Sequence, residues 1–177
     1  DWKSVAIGDE PREKLYFNHK NLKVLGFQNH NTVLSYFKKS SIAVACSRWE
    51  EPFGRTSLEA SSRGCAVIVS NKGGLPETIT NGVIIRNLSI KNVYNAIENL
   101  IKNRIQRLNL QKSSLKNFYL TDEFICKKID DYRKNIIQFK LNFNGSLIKE
   151  KLKILHVTNF NERHNGRLFY NTGKRIN

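Results

Sequence analysis

Residues 42–69 constrain the fold of this chain more than any other stretch. They open with Ile42-Ala43-Val44-Ala45-Cys46, a short apolar run of the kind that forms a strand buried on both faces. Polar residues follow, then Glu-Pro-Phe-Gly, then a helix-compatible segment carrying Leu58, Glu59 and Ala60 and ending at Gly64. Residues 66–69 read as a further buried strand. Strand, Gly-containing loop, helix and strand make a βαβ unit, which demands a parallel sheet with a crossover helix. In open α/β sheets ligands bind outside the carboxyl ends of the strands, so the loop between Ser47 and Gly54 is where a site is expected. Glu51 and Glu59 flank its Gly-containing turn, Glu59 standing about one and a half turns into the helix at ~3.6 residues per turn. Gly54 lets the backbone come close to a ligand, and the amides of Arg55, Thr56 and Ser57 are free donors at a helix N-terminus. That combination suits a phosphate with hydroxyl-rich groups on either side of it.

The flanking sequence continues the alternation. Residues 3–7 predict a strand closed by Gly8-Asp9-Glu10-Pro11, a strong turn signal, and residues 12–18 a short helix. Residues 22–25 predict a second strand, closed by Gly26-Phe27-Gln28. A helix over 31–39 carries Val33, Leu34 and Phe37 on one face, with Asn31 as its N-cap. Gly73-Gly74-Leu75-Pro76-Glu77 opens another helix, with Pro at its first position and Glu in its first turn, and residues 83–85 form the next strand. From Ser89 the chain turns helical and basic. Ser89 caps a segment with Val93, Ile97, Leu100 and Ile101 at helical spacing. Amphipathic helices over 104–118 and 121–139 follow, the latter with Asp122 and Glu123 in its first turn. The expectation is an α/β protein: a Rossmann-like parallel sheet flanked by helices, with a C-terminal helical stretch and a trailing strand, loop and helix.

The run EEPFGRTSLEASSRGCAVIVSNKGGLPETI, residues 50–79, resembles the donor-site signature of family 4 retaining glycosyltransferases, in the C-terminal lobe of the GT-B fold. A Glu, a Phe-Gly pair, a second Glu eight positions after the first, a small-residue-Gly turn, a buried strand and Gly-Gly-x-Pro-Glu stand in the family's order. The resemblance covers residues 5–83 well and the later helices in pattern. It implies transfer of a sugar from a nucleotide diphosphate sugar to a hydroxyl acceptor, in cell-surface polysaccharide or glycolipid synthesis. Glu51 would contact hydroxyls of the transferred sugar and is the expected catalytic residue. Backbone around Phe53, Gly54, Arg55 and Thr56 would hold sugar and phosphate, and Glu59 would accept the two ribose hydroxyls. Arg55 would lie beside the diphosphate or pair with a nearby Glu. Gly73 and Gly74 would bring backbone near the nucleotide, unless loop geometry alone requires them. Gly26 and Phe27 match the family's base-contacting turn loosely, and a buried Phe is the expectation there.

No metal or cofactor is implied, the nucleotide sugar being a substrate. There is no Asp-x-Asp pair, and His19, His30, His156 and His164 lack ligand spacing. Backbone dipoles and cations would balance the diphosphate instead.

The resemblance also divides the chain. Residues 1–141 would be the nucleotide-sugar-binding lobe, without the first strand and helix that supply an Arg and a Lys for the diphosphate, and without the acceptor-binding lobe as partner. Residues 142–152 would be a linker. Residues 153–177, with Lys153-Ile154-Leu155-His156-Val157-Thr158 as a strand, resemble the start of a second GT-B N-terminal lobe; an extra strand at the first sheet's edge is the alternative. A chain that begins at Asp1 and contains no Met reads as a fragment, expected to be inactive in transfer alone.

Charge bears on the competing classes. The 177 residues carry a net charge of +15, which fits an anionic partner or a drift in composition toward Lys, Asn and Ile. A basic module that binds nucleic acid or an anionic membrane is one alternative function. Nucleic acid is disfavoured because the basic helices after Ser89 lack interleaved aromatics. A GT-B-fold sugar-nucleotide epimerase is another alternative, and fits Glu-Pro-Phe-Gly less well. Cys46, Cys65 and Cys126 show no metal or redox spacing, and Cys46 and Cys65, at strand edges, read as buried, reduced thiols of a cytoplasmic protein. No apolar run of about 18 residues spans a membrane, which leaves open a peripheral contact with its inner face.

Overall fold

A computed structural model describes residues 2–8 and 18–144, with side chains to Phe139. The expected helix over 12–18, apart from Asn18, and the strand, loop and helix over 153–177 lie outside the described residues, as does most of the linker. The chain divides into two units, Asp1–Ile129 and Asp130–Asn177.

The first unit holds two parallel sheets. Strands β1 (Ser4–Ala6) and β2 (Leu22–Val24) pair with Val5 opposite Lys23. Strands β3 (Ile42–Ala45), β4 (Ala66–Ser70) and β5 (Gly82–Ile85) form the other sheet in that order, with Val44 opposite Ile68 and Val69 opposite Ile84. Helix α1 (His30–Lys39) precedes β3, and α2 (Arg55–Ser62) makes the crossover from β3 to β4. Helices α3 (Ile90–Lys102) and α4 (Arg104–Asn117) follow β5. Helix α5 (Asp122–Asn144) extends past the end at 139 that periodicity predicts.

The middle strand shows why the sheet forms. All five residues of β4 are buried, and their alternation feeds two cores. Val67 and Val69 join Ala43, Ala60, Cys65 and Leu75 on one face, with Phe37 of α1 packed against them. Ala66 and Ile68 join Ile85 and Leu100 on the other, with Val93 and Ile97 of α3 alongside. Burial pushes the Cys65 thiol up to about 11, so it stays a packed neutral group. Ser89 caps α3 as expected, its hydroxyl accepting from the Asn92 amide.

Four local expectations change. The N-cap of α1 is Asn29, whose side chain accepts from the Thr32 amide at 2.9 Å, and not Asn31. Both Asn residues suit a cap, but only Asn29 has the extended backbone just before the first turn (φ −67°, ψ 156°). Strand β3 is not buried on both faces: Val44 is 44% exposed because it lines a cavity. Residues Leu75–Thr78 form one 3-10 turn, with Pro76 at its second position rather than opening an α-helix. Thr78 donates its hydroxyl back to the Leu75 carbonyl at 2.8 Å, and the chain must enter β5 only four residues later. Phe27 is 80% exposed rather than buried. Gly26, at φ +63°, turns the chain outward from β2 there, a strand that is itself largely exposed.

Candidate donor-binding site

The cavity that Val44 lines has a volume of about 490 Å³ and opens at the carboxyl end of β3. Its wall is made by the last residues of that strand through Ser47, by Glu51, Pro52 and Phe53, by the start of α2, and by Leu75. Sequence reasoning placed a site here, and Glu51, Phe53, Gly54, Arg55 and Thr56 all contribute to it.

Gly54 sets the entry to α2. It sits at φ +86°, ψ +56°, a left-handed conformation that favours glycine, and a Cβ there would stand 2.6 Å from Leu75 Cδ2. No side chain caps the helix. Its first internal bond runs from the Leu58 amide to the Gly54 carbonyl, so the amides of Arg55, Thr56 and Ser57 have no acceptor among the described residues. They point the positive end of the helix dipole at the cavity. Below them Ser57 is fully buried, its hydroxyl 2.8 Å from the Gly54 carbonyl and hydrogen-bonded to the Thr78 hydroxyl at 2.6 Å. Cys46 also lines the cavity, where desolvation raises its pKa and a backbone bond from Ser70 lowers it in part. The net rise keeps it a thiol at neutral pH, a poor nucleophile.

The loop carrying Glu51 is tied to the end of β4 and the loop after it at three points. Ser70 Oγ accepts from the Ser47 amide at 2.8 Å and donates to its carbonyl at 3.0 Å. Glu50 accepts from Lys72 Nζ at 2.9 Å and from the Gly73 amide. The Gly74 amide donates to the Glu51 carbonyl at 2.7 Å. Gly73 and Gly74 therefore approach protein backbone, that of Glu51, Pro52 and Phe53, and neither lines the cavity. Glu50, Ser70 and Lys72 escaped the sequence reading. The acidic doublet and the Lys before Gly-Gly were the signals available.

The Lys72 ammonium first, then the Gly73 amide, holds the exposed Glu50 carboxyl below the usual carboxylate range. A pKa depressed on folding contributes stability above the unfolded value, lost as pH falls through the folded one. Gly73 should therefore keep its bond to Glu50 down through the ordinary carboxylate range and release it only at more acid pH. The Gly73 amide shift, followed by NMR, should titrate below the value of a free Glu; an ordinary midpoint would show that no such tie exists.

Glu59, the fifth residue of α2, does not line the cavity. Its Oε1 lies 3.0 Å from His30 Nε2 and 3.5 Å from Arg55 Nη2, with the side chain 20% exposed. Arg55 lines the cavity wall and also pairs with Glu59, the ion pair being one of the two roles the sequence left open. No group of three or more His, Cys, Asp and Glu residues that could hold a metal occurs among the described residues. No described helix is long and apolar enough to cross a membrane.

Comparison with known proteins places this geometry. Spore coat protein SA of Bacillus subtilis (strain 168) is 33% identical over 110 residues, 54% of this chain and 29% of that protein. An uncharacterized glycosyltransferase of Methanocaldococcus jannaschii is 42% identical over 59 residues, 33% of this chain and 15% of that one. The chain spans less than a third of the length of these relatives. Among solved structures, Anabaena HepE in complex with UDP and glucose superposes with a TM-score of 0.61 at 17% identity, over 75% of this chain and 40% of that one. Sucrose-phosphate synthase from Thermosynechococcus elongatus gives 0.60 at 19% identity, over 76% and 38%. These likenesses show the fold, the Rossmann-like α/β architecture of GT-B glycosyltransferases. The sequence model described as glycosyl transferases group 1 matches residues 1–117, the span that contains both sheets, the cavity and both Glu residues of the motif. On that match the chain belongs to the group 1 glycosyltransferase family.

Proposed function

We propose that residues 1–141 form the nucleotide-sugar-binding lobe of a retaining glycosyltransferase that passes a sugar to a hydroxyl acceptor. The reading rests on one observation above the others. The unpaired amides opening α2 and the Glu51 loop meet in a single cavity at the carboxyl end of β3. A diphosphate is the ligand such a helix start favours, because free N–H groups and the helix dipole both act on anionic oxygens. Glu51 would take hydroxyls of the sugar on one side, since an ionised carboxylate makes the stronger hydrogen bonds. Glu59 would take the ribose hydroxyls on the other. Phe53, Gly54, Arg55 and Thr56 would line the diphosphate, with Arg55 adding a cation. Gly73 and Gly74 would serve by setting the height of the Glu51 loop. As the diphosphate leaves, its growing charge is met by donors already in place, so that no metal is needed. Synthesis of a cell-surface polysaccharide or glycolipid is the setting that this family reading favours. The Anabaena structure's UDP and glucose make a UDP-sugar the first donor to try.

Titration calorimetry with UDP, GDP and ADP in the presence of EDTA tests this. Saturable binding of one of them is expected, with Glu59→Ala weakening it by about 1.5–3 kcal/mol, the worth of hydrogen bonds to a charged acceptor. A melting curve of the same variant, which also loses the contacts to His30 and Arg55, separates lost binding from lost fold. Binding only after a divalent metal is added would sink the metal-free reading. Binding of polyanions alone, with a steep salt dependence, would favour the basic-module alternative.

A further inference from the structure

We propose that His30 is a positioning residue, holding one oxygen of the Glu59 carboxylate so that the other is presented to a vicinal diol; this rests on the donor-site reading of Glu59. His30 and Glu59 are 29 residues apart and belong to different helices, α1 and α2. Asn29 fixes the start of α1 by accepting from the Thr32 amide, and this puts His30 in the first helical position. From there Nε2 reaches Glu59 Oε1 at 3.0 Å. Arg55 approaches the same oxygen at 3.5 Å, from a side chain that is 76% exposed. Glu59 Oε2 has no partner among the described residues.

Both cationic or donor groups thus act on a single oxygen. A carboxylate carries about four lone-pair sites on two oxygens, and engaging Oε1 leaves Oε2 free to accept from two adjacent hydroxyls. A Glu side chain on a helix surface is otherwise free to sample several rotamers, and a diol would have to order it on binding. The contact from α1 does that ordering in advance. The Arg55 pair, at 3.5 Å against 3.0 Å and on a side chain 76% exposed against 57% for His30, is the weaker restraint.

The test is the preference for a diol. The full chain, His30→Ala, His30→Gln and Glu59→Ala are titrated with UDP and GDP, each beside its 2′,3′-dideoxy analogue. For the nucleotide that binds, the parent chain is expected to prefer the diol form by roughly tenfold or more. His30→Ala should lose most of that preference by weakening the diol form alone, with the dideoxy analogue unaffected. His30→Gln, which keeps a donor at similar reach, should retain it. Melting curves establish that each variant is folded. If His30→Ala keeps the parent's preference, or weakens both forms equally, the positioning role is overturned while the donor site stands. If the parent binds no nucleotide, or Glu59→Ala keeps the preference for the diol, the donor-site reading falls and this proposal falls with it.

Discussion

Gly73→Ala is expected to destabilise the chain by about 3 kcal/mol and to remove nucleotide binding from whatever remains folded. The figure combines a left-handed backbone and a steric clash, each worth about 1–3 kcal/mol. Gly73 sits at φ +51°, and a Cβ there would stand 2.7 Å from the Glu51 nitrogen and 2.9 Å from its carbonyl carbon. Those are backbone atoms, so no side chain can swing aside. Relief requires the Glu51 loop to lift, which breaks the Gly74-to-Glu51 bond and the Glu50 tie and carries Glu51 away from the cavity. Gly26→Ala is the control. Its φ is +63° but a Cβ would meet nothing within 4 Å among the described residues, so it should cost only the left-handed penalty of about 1–2 kcal/mol. Urea denaturation of both variants checks the difference. Equal losses would mean that the two loops do not meet as closely as described.

Leu100→Ala should cost about 2–5 kcal/mol, the range for removing a fully buried Leu, yet leave nucleotide affinity unchanged in the folded fraction. Leu100 is 0% exposed on α3, in the core shared by Ala66, Ile68 and Ile85. Truncation opens a void between α3 and the sheet that these neighbours fill only in part. Against a typical net domain stability of about 5–15 kcal/mol, the loss is large. Leu100 contributes no atom to the cavity wall, so the site should survive wherever the fold does. Ile90, on the same helix but 88% exposed, should tolerate Ala within about 0.5 kcal/mol. Urea midpoints paired with calorimetry below the transition separate the two effects. A Leu100→Ala chain that stays as stable as its parent would mean that α3 does not pack on the sheet through this residue.

The two variants divide the molecule along the line that the sequence could and could not draw. The βαβ unit was legible because it is a local matter. A five-residue apolar run, a glycine turn and a helical segment carry their periods within a few residues of themselves, and these predicted β3, α2 and β4 nearly to their ends. Ser89 as a cap was legible for the same reason. So was the placement of Glu51, Gly54 and Arg55 beside one cavity, which follows from loop position at the carboxyl end of a parallel strand. Tertiary contacts decided the rest. The apolar run over residues 66–69 of β4 says nothing about which face meets α3, and only packing sends Val67 one way and Ile68 the other. Asn29 and Asn31 are equivalent caps until the chain leaving β2 sets the backbone angles at Asn29. Phe27 looks like core in sequence, yet it is exposed, as is most of β2, the strand it follows. Glu50 meets Lys72 across 22 residues of chain and Gly73 across 23, and His30 meets Glu59 across 29. Such pairs have no local signature, because what brings them together is the parallel register of the strands and the docking of α1 on α2. The sequence by itself determined that a βαβ crossover would bring Glu51 and a bare helix start together; only the folded chain decided that Glu59 stands outside the cavity, held against His30 and Arg55.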